Sequence, residues 1–363
     1  MVSTRTRPFR QDDIPAASAL LAARYGHDPD ACAPLLRDAW AAGARGALTE
    51  SPEGTPTGHL LAVEGDDTRG RHMWSGPGQA AGDADALCRL YASLAGDWLA
   101  EGRDHHYVVA SVADVPVWQS LCFGQEQVHG LMELGATEHR GADALTGRGV
   151  GPEADARTAG PEAVAGDGRA QPVEGFASRP TSAFRIRAAG PGDLDRLAPL
   201  FPLIADAHAA APVFACVDAD FYAGLHPGHR ELLRDPTVAY WMAEGSDGTA
   251  LGFCVMRPVG DDEVSPLKPR GSVELALAAT APEARGTGVG RTLAEHALTD
   301  AVRRGFRVCV TDWRAANPFS SGFWPRRGFR PVAHRLHRIL DPRLTERAAA
   351  RAGRRGGEAR TEA

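Results

Sequence analysis

One stretch of the sequence decides the fold: Gly271-Ser-Val-Glu-Leu-Ala-Leu-Ala-Ala-Thr-Ala-Pro-Glu-Ala-Arg-Gly-Thr-Gly-Val-Gly-Arg-Thr-Leu293. It opens with an apolar run that predicts a β-strand, and it closes on glycines that lead into an apolar-periodic helix. Glycine lets a backbone approach a ligand closely. A helix N-terminus attracts anions. The order of strand, glycine loop and helix therefore predicts a site for a diphosphate.

Two other phosphate-binding loops share these features. A Walker A loop ends in Gly-Lys-Ser/Thr, whereas this one ends in Gly290-Arg291-Thr292 without the upstream glycine, which excludes that class. A dinucleotide-binding loop needs a third glycine where Arg291 stands, although Asp312 follows at about the expected 20 residues. Because Ala281-Pro-Glu-Ala-Arg separates the strand from the glycines, the dinucleotide interpretation is the weaker alternative.

The surrounding segments predict an α/β fold with a mixed sheet. Apolar runs at 238–243 and 251–256 flank a Gly-Ser-Asp-Gly turn and predict a hairpin. Further strands are expected over 271–280, 307–313 and 332–340, and helices over 194–208, 290–304 and 318–327.

The first part of the chain repeats this layout. Each part begins with a short strand, an aspartate-containing cap and an amphipathic helix. Near the end of each part, Trp118 aligns with Trp324 and Phe123 with Phe329, which favours duplication over chance similarity. We expect a first domain over 1–135, a flexible Gly- and Ala-rich linker over 136–182, a second domain over 183–342 and a disordered basic tail over 343–363.

Composition narrows the function classes. A formal net charge of -6 argues against a nucleic-acid binder. The N-terminus lacks the apolar core of a signal peptide, and no apolar run approaches the roughly 20 residues that span a bilayer. The six cysteines form no metal-binding spacing. We therefore expect a cytoplasmic protein with no membrane partner and no metal, acting as a monomer or homodimer.

The glycine loop resembles the pyrophosphate loop of the GNAT superfamily of N-acetyltransferases. The family pattern Arg/Gln-x-x-Gly-x-Gly/Ala is matched by Arg285-Gly-Thr-Gly-Val-Gly, and its downstream asparagine, aromatic residue and Gly-Phe pair by Asn317, Trp324 and Gly328-Phe329. The resemblance covers about residues 183–341. It implies two tandem acyltransferase folds, each a mixed and mostly antiparallel sheet flanked by helices, with acetyl-CoA as co-substrate.

The resemblance also implies a set of binding residues. The loop would hold the diphosphate through its backbone, the strand around Leu277 and Ala279 would offer backbone groups to the pantetheine arm, and Asn317 would lie beside that arm. Asn317 is also suited to cap a helix that starts at Pro318, and both roles can hold together. The implied cofactor-binding residues are Leu277, Ala279, Arg285, Gly286, Thr287, Gly288, Val289, Gly290, Arg291, Asn317 and Trp324.

Catalysis in this family brings an amine and a thioester together, and the ammonium group must lose a proton first. Glu274, in the strand before the loop, is the predicted base; a surface position or a salt bridge are the alternatives for it. Trp324 stands where the family usually has a tyrosine that protonates the leaving thiolate, and an indole is a donor without an acidic proton. The thiolate then leaves unaided, takes a proton from another group, or leaves slowly.

The first domain lacks the glycine pattern, and Asp83 and Asp85 would repel a diphosphate there. We interpret it as a degenerate acetyltransferase-like domain. The predicted function is transfer of acetyl from acetyl-CoA to an amine of a small molecule or a protein, with the active site in the second domain. A non-catalytic acyl-CoA-binding or sensing protein is the alternative. A second-domain fragment should retain cofactor binding unless the two domains share one core.

Overall fold

The computed structural model describes residues 5–26, 29–135 and 184–344 of the 363-residue chain. The predicted linker and the part of the predicted tail after residue 344 lie outside these residues. The first half contains β1 (Arg5–Pro8), α1 (Ile14–Tyr25), α2 (Pro29–Ala41), β2 (Arg45–Glu50), β3 (Pro56–Asp67), β4 (Gly70–Ser75), β5 (Ala80–Gly82), α3 (Ala84–Ala100), β6 (His105–Ser111), α4 (Val115–Ser120) and β7 (Gly124–Glu133).

The second half repeats this order. Both halves run strand, helices, a three-stranded antiparallel meander, long helix, strand, short helix and strand, and the first half adds the short strand β5 before its long helix; this agreement confirms the predicted duplication. Its elements are β8 (Phe184–Ala188), α5 (Leu194–Leu197), α6 (Leu203–Ala209), α7 (Ala219–Arg234), β9 (Ala239–Gly245), β10 (Ala250–Pro258), β11 (Val273–Thr280), α8 (Val289–Arg303), β12 (Val308–Arg314), α9 (Phe323–Arg326) and β13 (Arg330–Ile339).

The two halves share one sheet because they exchange their last strands. The strand order is β1-β2-β3-β4-β6-β13-β7-β12-β11-β10-β9-β8, with β5 paired to β3 off this path. Strand β7 of the first half pairs with β12 of the second, and β13 of the second half pairs with β6 of the first. The exchanged strands β7 and β13 also pair with each other, antiparallel, at the centre of the sheet.

The hydrophobic cores follow this exchange. Val128 and Leu134, from the first half, are buried in the core that α8 forms against β10 and β11. Leu336, from the second half, is fully buried in the core beneath α3. Each half therefore depends on the other for a strand and for part of its apolar interior.

Three helical segments differ from expectation. The single helix expected over 194–208 is interrupted between α5 and α6, where Pro199 and Pro202 cannot donate backbone hydrogen bonds. The helix expected over 318–327 contracts to the four residues of α9, preceded by turns. The sequence does not predict helix α7, because Gly224, Pro227 and Gly228 obscure its apolar period. None of the helices in the described ranges is long and apolar enough to cross a bilayer.

Candidate active site

The glycine loop between β11 and α8 adopts a backbone conformation that favours glycine. Gly286 and Gly288 have φ values of 78° and 94°, in the left-handed region that side chains disfavour. A Cβ atom at either position would have no heavy atom within 4 Å, so both glycines border open space. The hydroxyl of Thr287 donates to the carbonyl of Ala284 at 2.7 Å and braces the loop between them.

Helix α8 begins without a side-chain cap. Its first residue follows Gly288, and Thr292 N–H donates to the Gly288 carbonyl at 2.9 Å as the first turn closes. The preceding N–H groups, from Val289 to Arg291, therefore point out of the helix end without an intrahelical acceptor. Together with the helix dipole they form a site that favours a negatively charged group.

Gly290 sets the distance between this helix and the sheet. A Cβ atom there would lie 2.8 Å from the hydroxyl oxygen of Thr280, at the end of β11. The absence of a side chain therefore lets α8 start directly beside the strand end, with the open N–H groups next to it.

Strands β11 and β12 separate soon after they begin. They run parallel and pair only at Val273 with Cys309 and at Glu274 with Val310. The hydroxyl of Thr311 then donates to the carbonyl of Leu275 at 2.9 Å. Beyond this link the strands diverge, so the edge of β11 that faces β12 has no strand beside it and is available to an extended ligand.

A cavity of about 660 Å³ joins the glycine loop to this gap. It brings together most of the predicted cofactor-binding residues: Leu277, Ala279, Arg285, Gly286, Gly288, Gly290, Arg291, Asn317 and Trp324. Thr287 and Val289 lie in the loop and the helix start but are not in the cavity wall. Binding of a cofactor by these residues remains a prediction. The structure adds that those in the wall surround one continuous cavity.

Asn317 and Trp324 form the wall opposite α8. The Oδ1 atom of Asn317 accepts from Phe319 N–H at 3.0 Å, and its carbonyl accepts from Ser320 and Ser321, so Asn317 organises a turn and does not cap α9. Trp324 is buried edge-on against Phe323 and Phe329. It is held as a packed wall of the cavity.

Glu274 lies next to the cavity but not in its wall. Its buried carboxylate forms ion pairs with Arg257 and, at 2.9 Å, with Lys268. Arg257 also binds Glu263 through two hydrogen bonds, of 2.6 and 2.7 Å. The salt-bridge alternative for Glu274 is therefore realised in the structure, and its role as a base remains a prediction.

Sequence reasoning did not place several polar groups of the cavity wall there, among them His208 from α6 and Asp312 from β12. Burial lowers the pKa of His208 below its ordinary value; Arg314 acts in the same direction, Asp312 opposes it, and Arg335 again lowers it. The amphipathic pattern of 194–208 places His208 on a helix but gives no sign that this helix borders the gap. No group of three metal-binding side chains occurs among the described residues.

Comparisons with known proteins agree with this architecture. Residues 204–329 match the model of the acetyltransferase (GNAT) family. The chain resembles the fold of a glucosamine N-acetyltransferase region of a fungal multi-domain β-N-acetylglucosaminidase at 13% identity and a TM-score of 0.50, covering 93% of this chain and 38% of that one. None of the curated proteins matches the sequence.

Two other solved structures cover nearly the whole chain. A GCN5-related N-acetyltransferase from Sphaerobacter thermophilus is 14% identical with a TM-score of 0.49, over 92% of this chain and 95% of that one. A tandem GNAT protein from the clavulanic acid biosynthesis pathway is 12% identical with a TM-score of 0.45, over 94% of this chain and 99% of that one.

The expected resemblance and fold class are thereby confirmed. The family match lies in the half that carries the glycine loop, and the other half repeats the same order of elements. Residues 204–329 thus match the GNAT acetyltransferase family, whose fold supports acyl transfer, and the chain contains two tandem halves with this order of elements.

Proposed function

We propose that the protein transfers an acetyl group from acetyl-CoA to a primary amine, with the reaction in the second half. The observation that carries this proposal is the continuity of one cavity from the uncapped start of α8 to the gap between β11 and β12. A diphosphate bound at the helix start directs its pantetheine arm along β11, past Leu277 and Ala279.

The amine would meet the thioester where the strands diverge, near Leu275 and Thr311. The reaction is then a nucleophilic attack of the neutral amine on the thioester carbonyl, favoured by positioning of the two reactants. Arg285 lies over the ring of Phe319, with its guanidinium carbon 4.4 Å from the ring centroid, and it is placed to add positive charge beside the loop.

Trp324 motivates the second candidate function, a non-catalytic acyl-CoA-binding protein. Its indole cannot supply an acidic proton to the leaving thiolate. This candidate shares the cofactor site with the enzyme and differs from it only in turnover. Binding and transfer therefore have to be measured separately.

The test of the cofactor site is calorimetric titration with acetyl-CoA and then with free CoA. We expect one site per chain, and Gly288→Leu should weaken acetyl-CoA binding at least 100-fold, because a side chain there enters the diphosphate site. Gly305→Leu is the matched control: it lies just beyond the other end of α8, with a φ of 90°, and a Cβ atom there would have no heavy atom within 4 Å.

Equal losses of affinity in the two variants would contradict the loop assignment, since they would reflect general strain at left-handed positions. Two sites in the wild-type protein would contradict the restriction to the second half. Binding without transfer to any amine would favour the non-catalytic candidate.

A further inference from the structure

The cavity wall carries two acid–base side chains in addition to its arginines. Asp312 is the single carboxylate, and His208 the single histidine, among the described residues of the cavity wall. They come from different elements, β12 and α6, and both line the same cavity. Neither side chain makes a hydrogen bond or an ion pair with the residues that the structure describes.

Two arginines around this pair are held by another carboxylate, which balances one of their two positive charges. Glu126, on the exchanged strand β7, forms ion pairs with Arg314 and, at 2.7 Å, with Arg335. These are the two arginines that act on His208. On α6 itself, Asp206 accepts a hydrogen bond from the Tyr222 hydroxyl at 2.8 Å. Asp312 is thus left as an exposed carboxylate facing the cavity, without a cation from the described part of the chain bound to it.

An amine reaches the enzyme at neutral pH mainly as an ammonium ion, which needs an anion to bind it and a base to deprotonate it. We propose that Asp312 holds the ammonium group of the acceptor and that His208 accepts its proton. The acceptor is accordingly a cationic primary amine. This inference rests on the proposed function and names residues that act within it.

Protons and bonds balance in the transfer of the acetyl group to the amine. The imidazole of His208 takes one proton from the ammonium group and later releases it to water. The neutral nitrogen attacks the thioester carbonyl, so that a C–N bond forms and the C–S bond breaks. The nitrogen then loses a second proton, which ends on the CoA sulfur, and the products are the N-acetyl amide, free CoA and one proton.

The electrostatics agree with this role. Burial and Arg314 hold the pKa of His208 below its ordinary value, so the imidazole is neutral at pH 7 and able to accept a proton. Glu274, in contrast, is engaged by Arg257 and Lys268 and does not reach the cavity wall. If His208 is the base, His208→Gln removes the acidic limb of the pH profile and Glu274→Gln does not. If Glu274 is the base, the two variants have the opposite effects.

The experiment compares His208→Gln, Asp312→Asn and Glu274→Gln in the full-length chain. Steady-state kinetics are measured from pH 5 to 10 with phenethylamine, spermidine and a lysine-containing peptide as probe acceptors. Acetyl-CoA affinity is measured in parallel by calorimetry. Asp206→Asn, on the same helix, is the control for damage to α6.

We expect His208→Gln to lower kcat/KM at pH 7 by about 100-fold or more, the usual contribution of a general base. The wild-type profile should have an acidic limb below pH 6.5. The variant should lose this limb and gain rate up to the pKa of the free amine. Asp312→Asn should raise KM for the amine about 10-fold with a smaller change in kcat, and acetyl-CoA affinity should stay within twofold in all variants.

An unchanged pH profile in His208→Gln overturns the inference while leaving the proposed function intact. Loss of the acidic limb in Glu274→Gln instead transfers the role to Glu274. If the wild-type protein binds acetyl-CoA but acetylates none of the three probes, the proposed function fails and the inference fails with it.

Discussion

The starts of α3 and α8 are equivalent positions in the two halves, but only the start of α3 has a side-chain cap. At α3, Asp83 accepts a hydrogen bond from Ala86 N–H at 2.8 Å, so the chain supplies its own anion to the helix end. At α8, Gly288 supplies none. In the first half a carboxylate thus accepts from an N–H group at the helix start. The corresponding end of α8 has no side-chain acceptor and stays open to a ligand.

The parallel strand pairs also differ between the halves: the pair in the first half stays together, and the pair in the second half opens. Strands β4 and β6 pair at four positions, up to Ser75 with Val108 at the end of β4. Strands β11 and β12 pair at two positions and then diverge. Where the second half has Asn317, the first has Asp114, which is buried against Arg24 and accepts a hydrogen bond from Ser111 at 2.7 Å. In the first half the helix start is thus capped and the parallel strands stay paired, so the features that border the cavity of the second half are missing at these positions.

Because the halves exchange strands, separating them is the most severe test of the comparison. A fragment of residues 183–363 lacks β7, which pairs with both β12 and β13. We expect it to show no cooperative unfolding transition and no binding of acetyl-CoA, because the two halves share one sheet and part of each core. Urea unfolding and calorimetry measure the two properties.

The control is the intact chain cut by a protease at a site introduced within residues 136–182. Both halves remain present, and we expect the nicked protein to stay associated and to bind acetyl-CoA. A lone fragment with wild-type affinity would show that the exchange is dispensable for the site.

Buried histidines in both halves give the protein an acid sensitivity. Burial lowers the pKa of His59, His106 and, on the exchanged strand β7, His129 to about 4 in each case. The unfolded chain takes up these protons near pH 6.5, before the folded chain does. The free energy of unfolding is therefore complete above pH 6.5 and falls as the pH drops towards 4, by up to about 1.4 kcal/mol per pH unit for each histidine.

Urea unfolding at pH 7.5, 6.5, 5.5 and 5.0 checks this. Carboxylates with lowered pKa values, such as Asp193 and Glu244, lose their contribution only below about pH 4.5, so this window reports the histidines. His59→Gln should flatten the dependence by up to about 1.4 kcal/mol per pH unit. Stability that is constant down to pH 5 would contradict the assignment.

The sequence predicted the parts of this comparison that depend on local patterns. The loop at Gly286 and Gly288 and the strand and helix around it follow from turn chemistry and apolar periodicity. The missing glycine pattern and the carboxylates of Asp83 and Asp85 marked the first half as different. These features are carried by residues close together in the chain.

The rest depends on contacts between distant segments. Strand β7 has the pattern of a sheet strand, but nothing local states that its partners are β12 and β13. Arg257 and Lys268 engage Glu274 from a strand and a loop whose approach no spacing reveals. His208 likewise gained its place in the cavity wall from the packing of α6 beside β11.

The ion pair between the buried Asp114 and the exposed Arg24 tests how the first half closes its gap. Arg24→Met keeps the length of the side chain but leaves the buried carboxylate of Asp114 without its cation. We expect a loss of about 3 kcal/mol in the free energy of unfolding. Arg89→Met, which removes the exposed partner of Asp85, is the control and should cost less than about 1 kcal/mol. Similar losses in the two variants would mean that the pair does not hold the gap closed.

Cys122 and Gly328 offer the finest comparison, because they occupy equivalent turns. Phe123 N–H donates to the Trp118 carbonyl at 3.1 Å, and Phe329 N–H to the Trp324 carbonyl at 3.3 Å. Cys122 has a φ of 65°, in the left-handed region, whereas Gly328 adopts 100° without a side chain. The two turns thus share their shape, but the turn in the first half holds a residue with a side chain in the left-handed region, which costs strain.

Cys122→Gly should relieve this strain, which is about 1–2 kcal/mol for a residue with a side chain, less the entropy that a glycine loses on folding. The expected gain in the free energy of unfolding is about 0.5–1 kcal/mol. Gly328→Cys should lower it, because its Cβ atom would lie 3.2 Å from the sulfur of Met132. Urea unfolding of both variants measures the two shifts. If Cys122→Gly is destabilising, the exposed thiol side chain contributes more to this turn than its backbone strain removes.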